Sequence, residues 1–156
     1  MAGQPHDAPR VIAFPPLLFS GTLIAGLLAH LIVPVRPLPA LASRILGVAV
    51  LVLSLALARW SLNTMRRAGT NVNPRQPALA LVVDGPFRFT RNPLYIATTG
   101  LYVGVALLVD ALWPLVLSLP LLVVIDRGVI APEEEYLEEK FSEAYRKYKT
   151  RVRRWI

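Results

Sequence analysis

The chain contains no cysteine and only two histidines, His6 and His30, among its 156 residues. Without cysteine it can form no disulfide, no thiolate nucleophile and no cysteine-ligated metal site. The two histidines are far apart, and His30 lies at the outer end of the first apolar segment, so no histidine metal cluster is expected. Glycine-rich phosphate-binding loops and a plausible Ser/His/Asp set are also missing. The sequence predicts neither a metal centre nor a nucleotide-binding loop.

What the chain has instead is apolar sequence, since 54% of its residues are hydrophobic. A transmembrane helix needs about 20 mostly apolar residues, and end residues such as Arg59 and Asp126 reach the interface by snorkelling. We expect a polar lead-in over 1–10 and a single all-α integral membrane domain over 1–156. A soluble bundle of buried helices is the alternative. The predicted transmembrane helices are 11–35, 43–65, 92–110 and 111–130.

The net charge of +7 is unevenly distributed along the chain. Basic residues crowd the segment between the second and third apolar stretches and the region after the fourth, whereas Arg36 and Arg44 flank the first connection and Asp110 stands in the third. The positive-inside rule therefore places both termini in the cytoplasm. Contact with anionic lipid headgroups explains the basic tail better than nucleic-acid binding does. We expect a prokaryotic inner-membrane protein, with its oligomeric state undetermined.

The third apolar segment opens with a polar cluster. Asn92 suits a helix N-cap and Pro93 the first helical position. Arg91 is either a positive-inside anchor or a guanidinium fork for an anion, which the helix N-terminus would also favour. Tyr95 and Tyr102, seven residues apart on one helix face, are either interface aromatics or the walls of a site that holds a flat or cationic group.

A second polar cluster, Glu133 and Glu134 followed by Glu135, comes directly after Pro132. Acids in a first helical turn favour the helix dipole, but three in a row exceed what capping requires. One of them can point inward while its neighbour faces solvent. An inward carboxylate near Arg91 would create a site with an anion receptor and a cation receptor, which suits a zwitterion.

The remaining tail, 132–156, has the pattern of an amphipathic helix. Its large apolar residues recur at spacings of four, four and three, with Glu and Lys between them, at Leu137, Phe141, Tyr145 and Tyr148. This period predicts a helix that lies along the cytoplasmic face and packs its aromatic side against the bundle.

Taken in order, these residues resemble the isoprenylcysteine carboxyl methyltransferase family, the integral-membrane methyltransferases that include phospholipid N-methyltransferases. The resemblance covers about 65–156. It rests on residues 67–70 (Arg-Ala-Gly-Thr), 85–88 (Gly-Pro-Phe-Arg), 91–95 (Arg-Asn-Pro-Leu-Tyr), Glu133 and Glu134, the aromatic spacing of the tail, and residues 154–156 (Arg-Trp-Ile). Asn92 stands where the family has His, which removes a group that titrates near neutral pH. Arg153 stands where relatives often have Pro.

The resemblance implies an S-adenosylmethionine-dependent enzyme whose cofactor pocket is closed by the C-terminal segment. Arg91, Asn92 and Pro93 would receive the cofactor carboxylate, and Glu133 or Glu134 its cationic groups. Tyr95 and Tyr102 would line the pocket.

The methyl acceptor is expected to be lipid-like or another hydrophobic molecule that enters from the bilayer. A carboxylate acceptor needs no base and would be oriented by Arg154, whereas an amine needs a proton acceptor such as Glu134. A nicotinamide-dependent membrane reductase and a non-enzymatic scaffold or inactive relative are the competing interpretations.

Overall fold

The computed structural model describes Pro9 and residues 11–73 and 75–155, and these contain five helices and no strand. The rest of the predicted lead-in and Ile156 of the closing motif lie outside the described residues. The helices are α1 (Pro15–Ile32), α2 (Ala40–Arg67), α3 (Pro93–Leu108), α4 (Leu112–Ile125) and α5 (Ala131–Arg151).

Three helical segments in the described part of the chain are long and apolar enough to cross a membrane, namely α1, α2 and the continuous run that starts with α4. The fourth predicted span, α3, is a shorter apolar helix of 16 residues. Large apolar side chains such as Leu31, Leu53 and Leu119 are exposed along these helices. In water such faces would be costly, whereas hydrocarbon solvates them. The protein is an all-helical integral membrane protein, as the sequence predicted.

Small residues let α3 lie close against α2. A Cβ atom on Gly47 would come within 2.6 Å of the Leu108 backbone nitrogen, and one on Gly100 within 2.1 Å of Ser54 Oγ. The hydroxyl of Ser43 also donates to the Leu107 carbonyl across this interface. Gly100 and Gly104 lie four residues apart, a spacing that predicts close helix approach as one of two interpretations, the other being that they are merely small residues. The close approach is present, and its partner is α2.

The end of α4 differs from the prediction. The helix does not stop before Pro132, because a π-helical turn over Asp126–Ile130 joins α4 directly to α5. Proline has no N–H to donate, and Pro132 is the second residue of α5, directly after the π-helical turn. The wide turn is one helical geometry that proteins use at functional sites. It places Glu133 and Glu134 beside the head of α3.

The amphipathic helix predicted after Pro132 is present as α5, although the backbone at Ser142 leaves helical geometry with a φ of 42°. Tyr145 and Tyr148 are buried, and their rings contact each other edge-on with centroids 6.1 Å apart. The aromatic side of α5 therefore packs against the rest of the molecule, as its period indicated.

Candidate functional site

The head of α3 is covered by the C-terminal segment. A short 3₁₀ turn, Gly85–Arg88, leads into this region. The Arg91 backbone N–H donates to the Arg153 carbonyl at 3.0 Å, and the Thr90 hydroxyl donates to the Arg154 carbonyl at 3.0 Å. The tail that follows α5 is thereby held across the start of α3.

Asn92 takes part in the same attachment. It stands at the N-cap position of α3, but its side chain caps no backbone N–H of that helix. Its Nδ2 instead donates to the Arg154 carbonyl at 2.9 Å. The side chain therefore makes no capping hydrogen bond, although Asn92 holds the predicted N-cap position; its amide joins the Thr90 hydroxyl on the same tail carbonyl. The amide oxygen of Asn92 is the part of the side chain that can still accept a hydrogen bond from a ligand.

A chain of charged groups runs from α3 through α5 to the end of α4. Glu134 lies between two guanidinium groups, with Oε1 3.1 Å from Arg91 Nη1 and Oε2 2.7 Å from Arg154 Nη2. Arg154 also reaches Asp126 at 3.2 Å, and the Trp155 indole N–H donates to the same carboxylate at 2.9 Å. The predicted catalytic pair, Glu134 and Arg154, is thus joined in one ion pair.

Arg91 retains unused binding capacity despite this ion pair. Its side chain is only 10% exposed, and within the described structure its Nε and Nη1 atoms make no directed hydrogen bond. Buried donors in proteins almost always have acceptors. The guanidinium at the head of α3 therefore keeps at least one unpartnered donor, Nε, beside its ion pair with Glu134.

Glu133 is the carboxylate of the pair that faces open space. It accepts a hydrogen bond from the Tyr95 hydroxyl at 2.9 Å. Burial raises the pKa of Glu133 to about 7, against the lowering effect of the Tyr95 hydrogen bond and with a smaller rise from neighbouring Glu134. A carboxyl group with this pKa can exchange a proton near neutral pH.

Two cavities meet at these residues. The smaller, of about 100 Å³, lies under α5 and is walled by Tyr145 and Tyr148. The larger, of about 410 Å³, extends between α1 and α3 past Phe19, Leu94 and other apolar side chains. Both cavities are lined by a shared set of residues that includes Arg91, Asn92 and Glu133, together with Met65, Val72, Asn73 and Phe87. The arrangement provides a polar chamber next to an apolar one.

Most of the predicted site residues meet here, and Tyr102 does not. Pro93 and Tyr95 line the larger cavity, while Glu134 lines the smaller one. Tyr102 is buried in the core beside Phe19, and its hydroxyl donates to the Pro114 carbonyl at 2.8 Å. The seven-residue spacing put both tyrosines on one face of α3, but that face runs past the site into the core.

Sequence reasoning missed four side chains of this region. The sequence pattern marked Tyr145 and Tyr148 only as packing residues. Burial raises the pKa of both phenols, so each stays neutral. The Tyr148 hydroxyl donates to the Phe87 carbonyl at 2.7 Å. Asp126 was interpreted as a helix-end charge, and Trp155 as part of a motif without a contact. The spacing of eleven residues from Glu134 to Tyr145 is about three helical turns, which places both on one face of a helix. This spacing could have indicated that Tyr145 lies on the same side of α5 as the carboxylate.

Within the described residues no group of His, Asp and Glu side chains could hold a metal ion. The site combines paired charged groups with an adjoining apolar chamber. A family model described as phospholipid methyltransferase matches residues 42–144, a region that contains Arg91, Asn92, Glu133 and Glu134. The α1 wall of the larger cavity, the two tyrosines of the smaller one and the end of the tail lie outside it. The chain belongs to the phospholipid methyltransferase family.

The chain is also similar to an uncharacterized protein from Haemophilus influenzae, with 54% identity over 35 residues. That stretch is 22% of this chain and 56% of the relative, so the chain spans about half the length of the curated relative it matches. No solved structure matches the chain significantly.

Proposed function

We propose that this membrane methyltransferase transfers a methyl group from S-adenosylmethionine to an amine on a lipid-like acceptor. The observation that carries the proposal is the position of Glu133. This carboxyl group lines both the polar and the apolar cavity, and its pKa is raised to about 7. A proton acceptor at the junction of two reactant sites is what amine methylation requires.

The residues around the smaller cavity fit the cofactor. Arg91, whose Nε has no hydrogen-bond partner among the described residues, would hold its carboxylate. The Asn92 amide oxygen would accept a hydrogen bond from its ammonium group. The faces of Tyr145 and Tyr148, which line the same cavity, would stabilise the cationic sulfur by cation–π contact. Because this cavity is small, part of the cofactor would extend into the junction with the larger one.

The larger cavity fits an amphiphilic acceptor. Its walls include Pro15 and Phe19 of α1 and Leu94 of α3, so an alkyl chain would enter sideways from the bilayer between these helices. Its polar end is formed by Asn73, Arg91 and Glu133. An acceptor headgroup would therefore come to rest next to the carboxyl group that takes its proton.

S-adenosylmethionine supplies a methyl group on a sulfonium, which is a good leaving group. The protein's part is to position the acceptor in line with that methyl and to exclude water. Glu133 accepts the proton that the amine nitrogen loses as its new bond to carbon forms. Glu134 and Arg154, which are engaged with each other, hold the tail in position. Because Arg154 is already bound to Glu134 and Asp126, it is poorly available to orient a carboxylate acceptor.

The basic segments favour a cytoplasmic position for this site. Arg66, Arg67 and Arg88 lie near the head of α3 in the sequence, and the basic tail covers it. With α3 as a fourth, shorter span, both termini lie on the same face of the membrane, and we infer from this charge distribution that this face and the site are cytoplasmic.

Cofactor binding is tested by calorimetric titration of the detergent-purified protein with S-adenosylmethionine and its demethylated product. We expect micromolar affinity, reduced at least tenfold by Arg91→Ala. Arg88→Ala is the matched control, since Arg88 is exposed three residues earlier and lines neither cavity. Equal affinity of the two variants would reject Arg91 as the anion receptor, and no binding by the folded parent would reject the methyltransferase assignment of this chain's site.

The acceptor class is tested with cofactor that carries a labelled methyl group, offered with an aminolipid or with a prenylated cysteine. We expect label in the aminolipid, and a loss of rate of about a hundredfold or more in Glu133→Gln, the typical effect of losing a general base. Glu135→Gln is the control, because Glu135 is exposed and lines neither cavity. Label in the prenylated cysteine alone would contradict the amine proposal.

A further inference from the structure

A third cavity, of about 440 Å³, lies between α3 and α4 and shares no lining residue with the two cavities of the site. Its walls are apolar side chains of the two helices, and its mouth is polar. It is lined by Ile96, Thr99, Leu122, Val123, Asp126, Arg127 and Trp155. We call this feature the α3–α4 groove.

The mouth of the groove carries one uncompensated positive charge. Asp126 is bound by Arg154 at 3.2 Å and by the Trp155 indole at 2.9 Å, so its charge is already balanced. Arg127 is exposed and forms no ion pair within the described structure. An anion is therefore the group that the mouth is suited to bind.

The interior of the groove offers one polar atom. The Thr99 hydroxyl is buried and has no hydrogen-bond partner in the described structure. Thr99 lies six residues into α3, which corresponds to a depth of roughly 9 Å from the helix start at 1.5 Å per residue. Ile96, Leu122 and Val123 surround it with hydrocarbon. A ligand that fills this groove needs an anionic end, a hydrogen-bond acceptor a short distance inward, and then an apolar chain.

An anionic phospholipid has these three features in this order: a phosphate, glycerol esters and acyl chains. We propose that the α3–α4 groove binds one anionic phospholipid, with its phosphate on Arg127, an ester carbonyl on Thr99 and an acyl chain along Leu122 and Val123. An acyl chain alone would leave Arg127 and Thr99 unmatched. The site is separate from methyl transfer, and its occupation does not depend on the reaction assigned to the other cavities.

The lipid would also contact the segment that closes the catalytic site. Trp155 is both a wall of the groove and a partner of Asp126, and Asp126 binds Arg154. A lipid packed against Trp155 restrains the tail that Thr90 and Asn92 hold from the other side. The groove thus links membrane composition to closure of the tail.

The experiment uses quenching of Trp155 fluorescence by phospholipids with brominated acyl chains. The other two tryptophans, Trp60 and Trp113, are replaced by Phe in the full chain, and the protein is reconstituted with brominated phosphatidylglycerol or phosphatidylcholine. We expect half-maximal quenching at a phosphatidylglycerol fraction at least fivefold lower than for phosphatidylcholine.

Two variants and a control decide the result. Arg127→Gln should abolish the preference for phosphatidylglycerol, and Leu122→Phe, which narrows the groove, should weaken quenching by both lipids. Arg66→Gln removes an exposed charge from α2, outside the groove, and should leave the preference intact. Equal quenching by both lipids in the parent, or an unchanged preference in Arg127→Gln, would show unspecific annular lipid and overturn the proposal.

Discussion

Glu134 is the residue whose removal tests the site most directly. Its side chain is 7% exposed and is bound by Arg91, just before α3, and by Arg154 of the tail. Glu134→Gln removes the negative charge, keeps the shape and leaves two guanidinium groups facing a neutral amide. Because Arg154 then loses its strongest contact, we expect the tail to detach more often from the head of α3.

The size of the effect follows from the burial of the pair. Removal of one partner from a buried ion pair costs about 3–5 kcal/mol. The Arg154 side chain is 33% exposed, and solvent screening reduces the cost to about 2 kcal/mol for this contact. Because 1.4 kcal/mol corresponds to a factor of ten, the fraction of open tail should rise roughly 30-fold.

The Arg91 backbone amide reports this opening, because it donates to the Arg153 carbonyl only while the tail is docked. Hydrogen exchange at this amide, measured by mass spectrometry, should be roughly 30-fold faster in Glu134→Gln, by the same conversion. Glu138→Gln is the matched control on the same helix, since Glu138 also binds two cations, Arg146 and Lys149, but at exposed positions. Equal exchange in the two variants would refute the assignment of Glu134 as the bridge between helix and tail.

Three further outcomes are expected. Asn92→Leu removes a donor to the Arg154 carbonyl, and the loss of one hydrogen bond of about 1 kcal/mol should make hydrogen exchange at the Arg91 amide about fivefold faster. Asn92→His keeps a donor at this position and should return the exchange to the parent rate. Gly47→Ala places a Cβ atom 2.6 Å from the Leu108 backbone, so it should lower the melting temperature; Gly21→Ala, which meets nothing within 4 Å, should not. The raised pKa of Glu133 means that folding favours its protonated form, so the free energy of unfolding should fall as pH rises from about 4.5 to about 7. In Glu133→Gln the melting temperature should depend less on pH over this range. An unchanged dependence would contradict the raised pKa of Glu133.

The sequence predicts the elements of this fold well, because each depends on local chemistry. The apolar runs set the helices, and proline at the first turn starts α1 and α3. The predicted bounds of the first helix, 11–35, are wider than those of α1, Pro15–Ile32. The chain leaves the helix after Ile32 because Pro34 disfavours helical geometry in the residue before it. The spacing of Gly100 and Gly104 in α3 is compatible with close helix packing but does not identify the neighbouring helix. That neighbour depends on how all the helices of the bundle pack together.

The site is predictable in part for the same reason. Arg91 and Glu133 stand out because charged residues beside membrane helices need partners. The contacts of the tail cannot be predicted in this way. Every residue has a backbone carbonyl, and the sequence does not show that the carbonyl of Arg154 will accept these hydrogen bonds. Asn92 illustrates this: an Asn before a Pro is typical of a helix cap, and only the fold shows that a carbonyl 62 residues later takes its donor.

The charges of the site give a physical reason for the proton-accepting role proposed for Glu133. Arg91 and Arg154 are balanced by Glu134 and Asp126, so these four groups are neutral together. An ionised Glu133 would then balance the single net positive charge of the cofactor. In the proposed reaction that charge would pass to the amine nitrogen, and Glu133 would become neutral by taking the proton that this nitrogen loses. The buried site would be neutral before and after transfer, which avoids the cost of an unpaired charge.

At pH 7 the binding of demethylated product should therefore take up more protons than the binding of S-adenosylmethionine does, a difference measurable by calorimetry in buffers of different ionisation enthalpy. The same proton uptake in Glu133→Gln would assign the proton to another group.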